Sequence, residues 1–333
     1  MNKIALTYDD IQLVPSYSEI SSRKDINLKT SITTRYDISI PLIASPMDTV
    51  CEYDMALKMG LMGGIGCIHR FMSIEKQAEM IKKLRSNLGN TEIMGAVGAN
   101  GDYLERAREL YMNGARIILI DVAHGHHKNV KEAIHNIKSI NSEIDVIAGN
   151  IATRKAAEDL CSWGADGLRV GIGGGSLCTT RIKTGFGLPN VSSLQEIVPF
   201  SMVPVIADGG IRSSGDIAKA LALGASSVML GSLIAGTEES PGSMIEKSNG
   251  LYKRYRGAAS LETKMTHGQE QRNVEGESTV IPYKGGVKYI IEGLLDGVKS
   301  ALSYAGSNDL STYYPGWVQV TNAGQNEAKP HLI

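Results

Sequence analysis

The feature that most constrains this chain is a recurring order of segments: an amphipathic stretch, a glycine followed by alanine, and a short run rich in β-branched residues. The order appears as NGARIILI, WGADGLRV and LGASSVML. A glycine just past a helix adopts the left-handed backbone conformation that ends the helix. A helix that leads through such a turn into a buried strand is typical of a βα unit, and repeated βα units predict a parallel sheet.

Eight buried strands of this kind are predicted along the chain. They cover residues 39–47, 63–69, 93–99, 115–123, 144–151, 167–172, 203–210 and 226–235, and helical periodicity lies between them at 74–88, 103–114, 153–164 and 214–224. Eight units within about 250 residues are typical of a closed (β/α)8 TIM barrel of the α/β class. A doubly wound open sheet is the alternative, and it is disfavoured because no G-x-G-x-x-G motif opens a helix after the first strand.

The chain is predicted to form a single domain over residues 1–333. The barrel core covers about 39–245, an active-site flap about 258–286 and a C-terminal extension about 310–333. Only RSNLGNTEIM, residues 85–94, joins the second barrel helix to the third strand, so no further module is inserted there. The extension is expected to pack on the barrel or on a neighbouring subunit, with a disordered tail as the alternative.

Charge and composition exclude several classes of partner. Lysine and arginine number 34 against 35 aspartate and glutamate, so no basic field is available for nucleic acid or an anionic membrane. No segment reaches about 18 consecutive apolar residues and the N-terminus lacks a signal-peptide pattern, which predicts a cytoplasmic protein. The four cysteines lack the spacing of metal ligands and are expected to be free thiols.

Polar residues and glycines cluster where the predicted strands end. Six of the eight strand ends carry them: SPMD (45–48), DVAHGHH (121–127), GN (149–150), GGGSLCTT (173–180), DGG (208–210) and GS (231–232). Each alone is explained by a turn or a helix cap. Because the carboxyl ends of the strands meet on one face of a TIM barrel, their recurrence there predicts an active site.

The last two strand ends predict a phosphate subsite. Gly209 and Gly210 follow the seventh strand, and Gly231 and Ser232 follow the eighth. TIM barrels often hold a phosphate there on backbone N–H groups and a helix N-terminus. Ser176 can add a hydroxyl donor, and a flavin phosphate would suit the same geometry.

Cys178 is the predicted nucleophile. It follows a glycine-rich turn and precedes Arg181 and Lys183, and backbone N–H groups and cations stabilise a thiolate. The other cysteines, at 51, 67 and 161, lie on or beside apolar periodic segments and are interpreted as core residues. A metal site at the HGHH histidines is disfavoured, because these residues have no acidic or cysteine partner at ligand spacing.

Several long motifs carry a resemblance over essentially the whole chain. GGIGCIHR, DVAHGH, AGN, GIGGGSLCTTR, KTGFG, IADGGIRSSGDIAKALALGASSVMLGS, AGTEESPG and YRGAAS together resemble the IMP dehydrogenase and GMP reductase family. The resemblance implies a TIM barrel, here without the inserted regulatory (CBS) repeats of many dehydrogenases. It also implies a homotetramer in which the cysteine attacks the purine C2 to form a covalent thioimidate.

The resemblance assigns further roles residue by residue. It implies that Asp208 binds the ribose hydroxyls of the nucleotide, and that Asp121 and Asn150 contact a nicotinamide cofactor, NADPH on the reductase side. A potassium ion is implied at the backbone carbonyls of Gly173, Gly175 and Cys178. The implied phosphate-binding residues are Ser176, Gly210, Gly231, Ser232 and Tyr255, and the other implied substrate-binding residues are Ser45, Met47, Gly257, Arg272 and Gly276.

The flap separates the two activities of the family. Dehydrogenases carry a long flap with an adjacent Arg-Tyr pair that activates the hydrolytic water, whereas residues 264–286 are short and contain no such pair. Glu275 and Gly276 match the compact reductase segment. The resemblance therefore implies reductive deamination of GMP to IMP and ammonia, with Thr180 and Glu275 handling the proton that the leaving ammonia requires.

Two alternatives remain open from the sequence. The body of the chain, including SPMDTV and AGTEESPG, is more like an IMP dehydrogenase, which converts IMP to XMP with NAD. A catalytically silent protein that binds purine nucleotides is the alternative from another class. Two positions depart from the family: Gly174 replaces a proline, and Ala258 replaces a methionine beside the base, which leaves room for a modified purine.

Overall fold

The computed structural model describes residues 4–266 and 274–328. Three short strands come first: β1 (Ile11–Leu13), β2 (Thr30–Ser31) and β3 (Asp37–Ile38). The closed barrel follows: β4 (Leu42–Ala44), β5 (Ile65–Ile68), β6 (Met94–Val97), β7 (Ile117–Asp121), β8 (Asp145–Ile151), β9 (Gly167–Val170), β10 (Val205–Asp208) and β11 (Ser227–Leu230). All neighbours are parallel, and β11 pairs with β4 to close the barrel. The eight predicted strands and the TIM barrel are confirmed, and the doubly wound alternative is wrong.

Helices alternate with the strands as the sequence predicts. They are α1 (Tyr53–Leu61), α2 (Ile74–Leu88), α3 (Tyr103–Met112), α4 (Lys128–Lys138), α5 (Arg154–Ser162), α6 (Thr180–Thr184), α7 (Asn190–Ile197), α8 (Ser214–Ala222), α9 (Leu261–Thr266), α10 (Val287–Ala305) and α11 (Asn322–Glu327). After α3, α5 and α8, the glycines of the repeated motif have φ of +113°, +96° and +88°, the left-handed conformation that ends a helix without a Cβ clash. Only five residues separate α2 from β6, so no regulatory module is inserted.

The barrel interior is a closed apolar layer beneath the strand ends. Ile43, Ile65, Ile117, Leu119 and Ile147 belong to this layer, and each is at most 2% exposed. A second, larger cluster fills the space between the strands and the surrounding helices. Since the interior is packed with side chains, the polar strand ends are left at one open face, where a ligand can bind.

Three smaller sheets lie outside the barrel in the described part of the chain, and the simplest of them is the antiparallel pair of β2 and β3, near the N-terminus. The other two involve the flap and the C-terminal extension. In the first, β12 (Met244–Lys247), β13 (Gly250–Arg256) and β14 (Ser278–Pro282) pair antiparallel and form the base of the predicted flap. In the second, β15 (Trp317–Gln319) pairs antiparallel with β1. The C-terminal extension, up to residue 328, therefore packs on the protein's own N-terminal segment. No helix in the described part of the chain is long and apolar enough to cross a membrane.

Candidate active site

A cavity of about 510 Å³ opens at the carboxyl end of the barrel strands. The residues that line it include nearly all of those predicted from the sequence: Ser45, Met47, Asp121, Asn150, Gly173, Gly175, Ser176, Cys178, Thr180, Asp208, Gly210, Gly231, Ser232, Tyr255, Gly257, Glu275 and Gly276. Arg272, the remaining one, lies outside the described residues. Segments far apart in the chain thus converge on one site.

Three side chains form a continuous hydrogen-bonded path in this cavity. The Cys178 thiol lies 3.2 Å from Thr180 Oγ1, and the Thr180 hydroxyl donates to Glu275 Oε2 at 2.6 Å. All three residues are half-buried. A thiol that donates to a hydroxyl, which donates in turn to a carboxylate, can pass its proton along the path and become a thiolate.

The backbone of the flap fixes Glu275 in this path. Residues 177–179 and 275–277 pair antiparallel: Thr179 N–H donates to the Glu275 carbonyl, and Glu277 N–H donates to the Leu177 carbonyl, both at 3.0 Å. On its other side Gly276 lets residues 257–260 approach closely, because a Cβ there would stand 3.1 Å from the backbone nitrogen of Ser260. The carboxylate is thus positioned by main-chain pairing with the cysteine loop itself.

Hydroxyl groups and glycines meet at the predicted phosphate end. Ser176 Oγ and Tyr255 OH are 2.9 Å apart, and a Cβ on Gly231 would stand 3.4 Å from the same tyrosine oxygen. Burial raises the pKa of Tyr255, so its phenol stays protonated and can donate to an anion. Gly210, with φ of +75°, brings bare backbone to the same region.

Lys284 supports this end from the flap. Its Nζ donates to the carbonyls of Ser232 and Leu233, at 2.6 and 3.1 Å, and burial lowers the pKa of its ammonium group. The lysine thereby ties β14 and the start of α10 to the loop after β11. This contact was not predicted from the sequence.

A buried ion cluster forms the floor of the cavity. Arg169, in β9 and 7% exposed, donates from Nε to Asp208 Oδ2 at 3.0 Å and pairs through Nη1 with Asp121. Asn150 Nδ2 donates to the same Asp208 oxygen at 2.7 Å. Burial acts to lower the pKa of Arg169, but the Asp208 and Asp121 charges outweigh it and raise that pKa. The two carboxylates predicted for ribose and cofactor thus share one guanidinium.

Sequence reasoning missed Arg169. The signal was present in GLRVGI, where one arginine interrupts an otherwise apolar strand of the barrel. A charged residue in a buried strand requires a partner, since an unpaired buried charge is costly.

We expect Arg169→Met to lower the free energy of unfolding by about 3–5 kcal/mol, because it takes the buried guanidinium away from the half-buried carboxylates of Asp121 and Asp208 and leaves Asp121 only the more distant Arg70, at 3.8 Å. Lys83→Met is the control, since Lys83 forms an exposed ion pair with Glu79 and its loss should cost about 1 kcal/mol or less. Urea denaturation of both variants measures the difference. Equal losses would show that the cluster contributes no more than a surface pair.

The surroundings of Cys51, Cys67 and the HGHH histidine His126 are those of residues with a structural role. Cys51 and Cys67 are fully buried, which raises the pKa of both thiols and keeps them protonated. His126 Nε2 lies 2.9 Å from Asp159 Oδ2, a partner on α5 that sequence spacing did not reveal. Within residues 4–266 and 274–328, no group of three His, Cys, Asp or Glu residues is placed to bind a metal.

The cysteine loop has the donor chemistry that a potassium ion requires. It offers neutral main-chain carbonyls, the donors of potassium-selective sites. The Cys178 N–H donates to the Gly175 carbonyl at 3.1 Å, so the loop turns back on itself, and Gly173 has φ of +81° within the turn. The residues of this loop therefore fit the implied ion.

The fold and the cavity together define a TIM-barrel enzyme whose site is built around a cysteine loop and a flap carboxylate. Residues 5–331 match the family model of the IMP dehydrogenase / GMP reductase domain. The chain belongs to this family of oxidoreductases.

Relatives from both branches of the family are similar over nearly the whole chain. Inosine-5'-monophosphate dehydrogenase of Cryptosporidium parvum is 37% identical over 98% of this chain and 95% of its own. GMP reductase of Lactococcus lactis subsp. cremoris is 37% identical over 91% of each chain. A crystal structure of a cysteine-to-alanine variant of GMP reductase from Trypanosoma brucei, in complex with guanosine 5'-monophosphate, superposes with a TM-score of 0.94 at 28% identity. That match covers 99% of this chain and 98% of the other.

Proposed function

We propose that the protein is a GMP reductase that converts GMP to IMP and ammonia. The observation that carries the proposal is the path from the Cys178 thiol through the Thr180 hydroxyl to the Glu275 carboxylate. This path supplies both a nucleophile and an acid, which are the groups that displacement of an amino group requires. The structural neighbour that binds guanosine 5'-monophosphate supports a purine nucleotide as the substrate.

The proton moves first toward Glu275. The hydrogen bonds run from thiol to hydroxyl to carboxylate, so Cys178 becomes a thiolate as Glu275 becomes an acid. The sulfur then forms a bond to C2 of GMP, and Glu275 returns its proton to the amino group, which leaves as ammonia. Protonation is needed because amide ion is far too poor a leaving group.

The resulting thioimidate joins Cys178 to the purine C2. NADPH, when bound, supplies the hydride that reduces this carbon. The bond between sulfur and C2 then breaks, its electron pair returns to Cys178, and IMP leaves. Asp121 and Asn150, which line the cavity, are proposed to orient the nicotinamide end of the cofactor. Potassium at the carbonyls of the cysteine loop would hold that loop in shape.

IMP dehydrogenase is the second candidate, because relatives of that name match the chain as well as reductases do. In that reaction the thioimidate is hydrolysed by water instead of being reduced. The reaction therefore needs a base that activates water, and the compact flap favours the reductase because it has no Arg-Tyr pair.

The test is a paired assay of the purified protein. With GMP and NADPH, we expect loss of NADPH absorbance and release of ammonia in equal amounts. No reaction with GMP, together with NADH formation from IMP and NAD, would replace the reductase proposal with the dehydrogenase. The Cys178→Ala protein serves as the blank for both reactions.

A further inference from the structure

Asn190, the first residue of α7, lies beneath the floor of the cavity and is 5% exposed. Its Nδ2 donates to the main-chain carbonyls of Asp208 and Gly209, at 2.9 and 2.5 Å. Because both partners are acceptors, they identify this amide atom as the nitrogen. One side chain therefore holds the turn that follows β10, where the ribose and phosphate subsites are proposed.

The same amide also supports the cysteine loop from below. A Cβ on Gly174 would stand 3.1 Å from Asn190 Oδ1, and one on Gly171 would stand 3.3 Å from it. The two loops touch directly as well, since a Cβ on Gly209 would stand 2.9 Å from the carbonyl carbon of Gly174. Asn190 thus lies where the loop that carries the nucleophile meets the turn that holds the nucleotide.

Tyr8 covers Asn190 from the N-terminal segment. Its ring packs under Gly210, where a Cβ would stand 3.5 Å from the ring, and its hydroxyl lies beside the Asn190 side chain. Within the described residues, neither the Tyr8 hydroxyl nor Asn190 Oδ1 completes a hydrogen bond of good geometry. Asn190 therefore holds the turn through the two bonds that its Nδ2 donates.

We propose that Asn190 is a positioning residue, which fixes the spacing between the Cys178 loop and the turn at Asp208 and Gly209. Both segments are rich in glycine and therefore have little rigidity of their own. Attack on C2 requires the sulfur close to a purine whose position is set at the ribose and phosphate. A displacement of about 1 Å can cost about 100-fold in rate. The inference rests on the proposed nucleotide site, and not on which of the two reactions follows attack.

The first test is a graded series at this position. Asn190→Ala removes both donated bonds and should lower kcat/KM for GMP by about 100-fold. Asn190→Ser restores one donor, and its kcat/KM for GMP should lie between those of the alanine variant and the wild type. Ser193→Ala is the matched control, a fully buried polar residue on the same helix whose hydroxyl faces the Leu188 carbonyl, and it should leave kcat/KM unchanged.

The second test uses pH, which a merely structural role would not reproduce. Asn190→Asp keeps the shape of the side chain but has no donor while it is ionised, and regains one O–H donor when protonated. The ratio of variant to wild-type kcat/KM should therefore rise as pH falls. The neighbouring titratable groups are Tyr8 on the N-terminal segment, Asp208 on β10 and Asp216 on α8. They are present in both proteins, so the ratio reports the new carboxylate together with the shifts that its charge induces in these groups.

The outcomes separate this inference from the proposed function. Failure of the wild type to consume GMP refutes the reductase alone, and the same ratios are then measured with IMP and NAD. Protection of Cys178 by GMP against iodoacetamide gives a readout without turnover, and half-protection should need about tenfold more GMP in Asn190→Ala, a loss within that expected for misplacement. If circular dichroism shows that Asn190→Ala is unfolded, the kcat/KM of the Asn190→Ser variant decides whether Asn190 has the positioning role. Unchanged kcat/KM in the folded variants, or a ratio that is flat with pH, would overturn the positioning role.

Discussion

Cys178→Ala is expected to abolish turnover while leaving nucleotide binding nearly unchanged. The variant removes the only cysteine that lines the cavity in the described part of the chain, and with it the covalent step. Loss of the nucleophile of an enzyme that forms a covalent intermediate can lower kcat by about 10⁶-fold. Removing one sulfur leaves the hydroxyls and backbone groups of the phosphate end in place, so GMP should still bind. Rapid-quench assays measure the first quantity and isothermal titration the second.

The matched control is Cys161→Ala. Cys161 is a half-buried cysteine on α5, outside the residues that line the cavity, so its removal should leave kcat at the wild-type value. Mass spectrometry of acid-quenched wild type should find the purine attached to Cys178. Wild-type turnover by Cys178→Ala would contradict covalent catalysis in both the reductase and the dehydrogenase reaction.

The sequence predicts the barrel well because each βα unit signals itself locally. Strands such as β7 and β9 are short runs that are apolar except for Asp121 and Arg169, and the glycine after the helix that precedes each of them has a positive φ that other residues rarely adopt. The predicted strands are longer than the observed ones because they include the polar ends. Most of those ends are loops that have left the backbone ladder, whereas Asp121, Asn150 and Asp208 still lie at or near the ends of β7, β8 and β10.

Contacts between units are harder to predict than the units themselves. Arg169 and Asn190 lie in separate βα units from most of the groups they bind, and nothing in their own segments identifies those partners. Glu275 shows the same limit. Its neighbours suggest a solvated loop, and only the pairing of residues 275–277 with the cysteine loop brings its carboxylate to Thr180. Such pairing depends on the closed barrel, which one stretch of sequence does not encode.

Glu275→Gln is expected to lower kcat with GMP by about 10²- to 10⁴-fold, the usual contribution of a positioned acid or base. Glutamine keeps the shape of the side chain, but its amide cannot accept the thiol proton or return it to the amino group. The Michaelis constant for GMP should change little, since the phosphate and ribose subsites are untouched. Glu277→Gln is the control, because Glu277 is exposed and pairs with the cysteine loop through its backbone alone. An equal loss of kcat in both variants would mean that the substitutions disturb the structure of the flap, and that Glu275 does not transfer a proton.

Thr180→Val, combined with Glu275→Gln, tests whether Thr180 and Glu275 form one proton path or act independently. If the proton passes through the Thr180 hydroxyl to Glu275, either change breaks the same path, so the double variant should be no slower than the slower single variant. If the two groups act separately, their losses in kcat should multiply instead. The same cycle, measured on the rate of Cys178 alkylation, follows formation of the thiolate before any ammonia leaves. A non-additive loss in the alkylation rate would show that Glu275 acts as the base that accepts the thiol proton. A loss seen in kcat but not in the alkylation rate would leave Glu275 only the role of the acid that protonates ammonia.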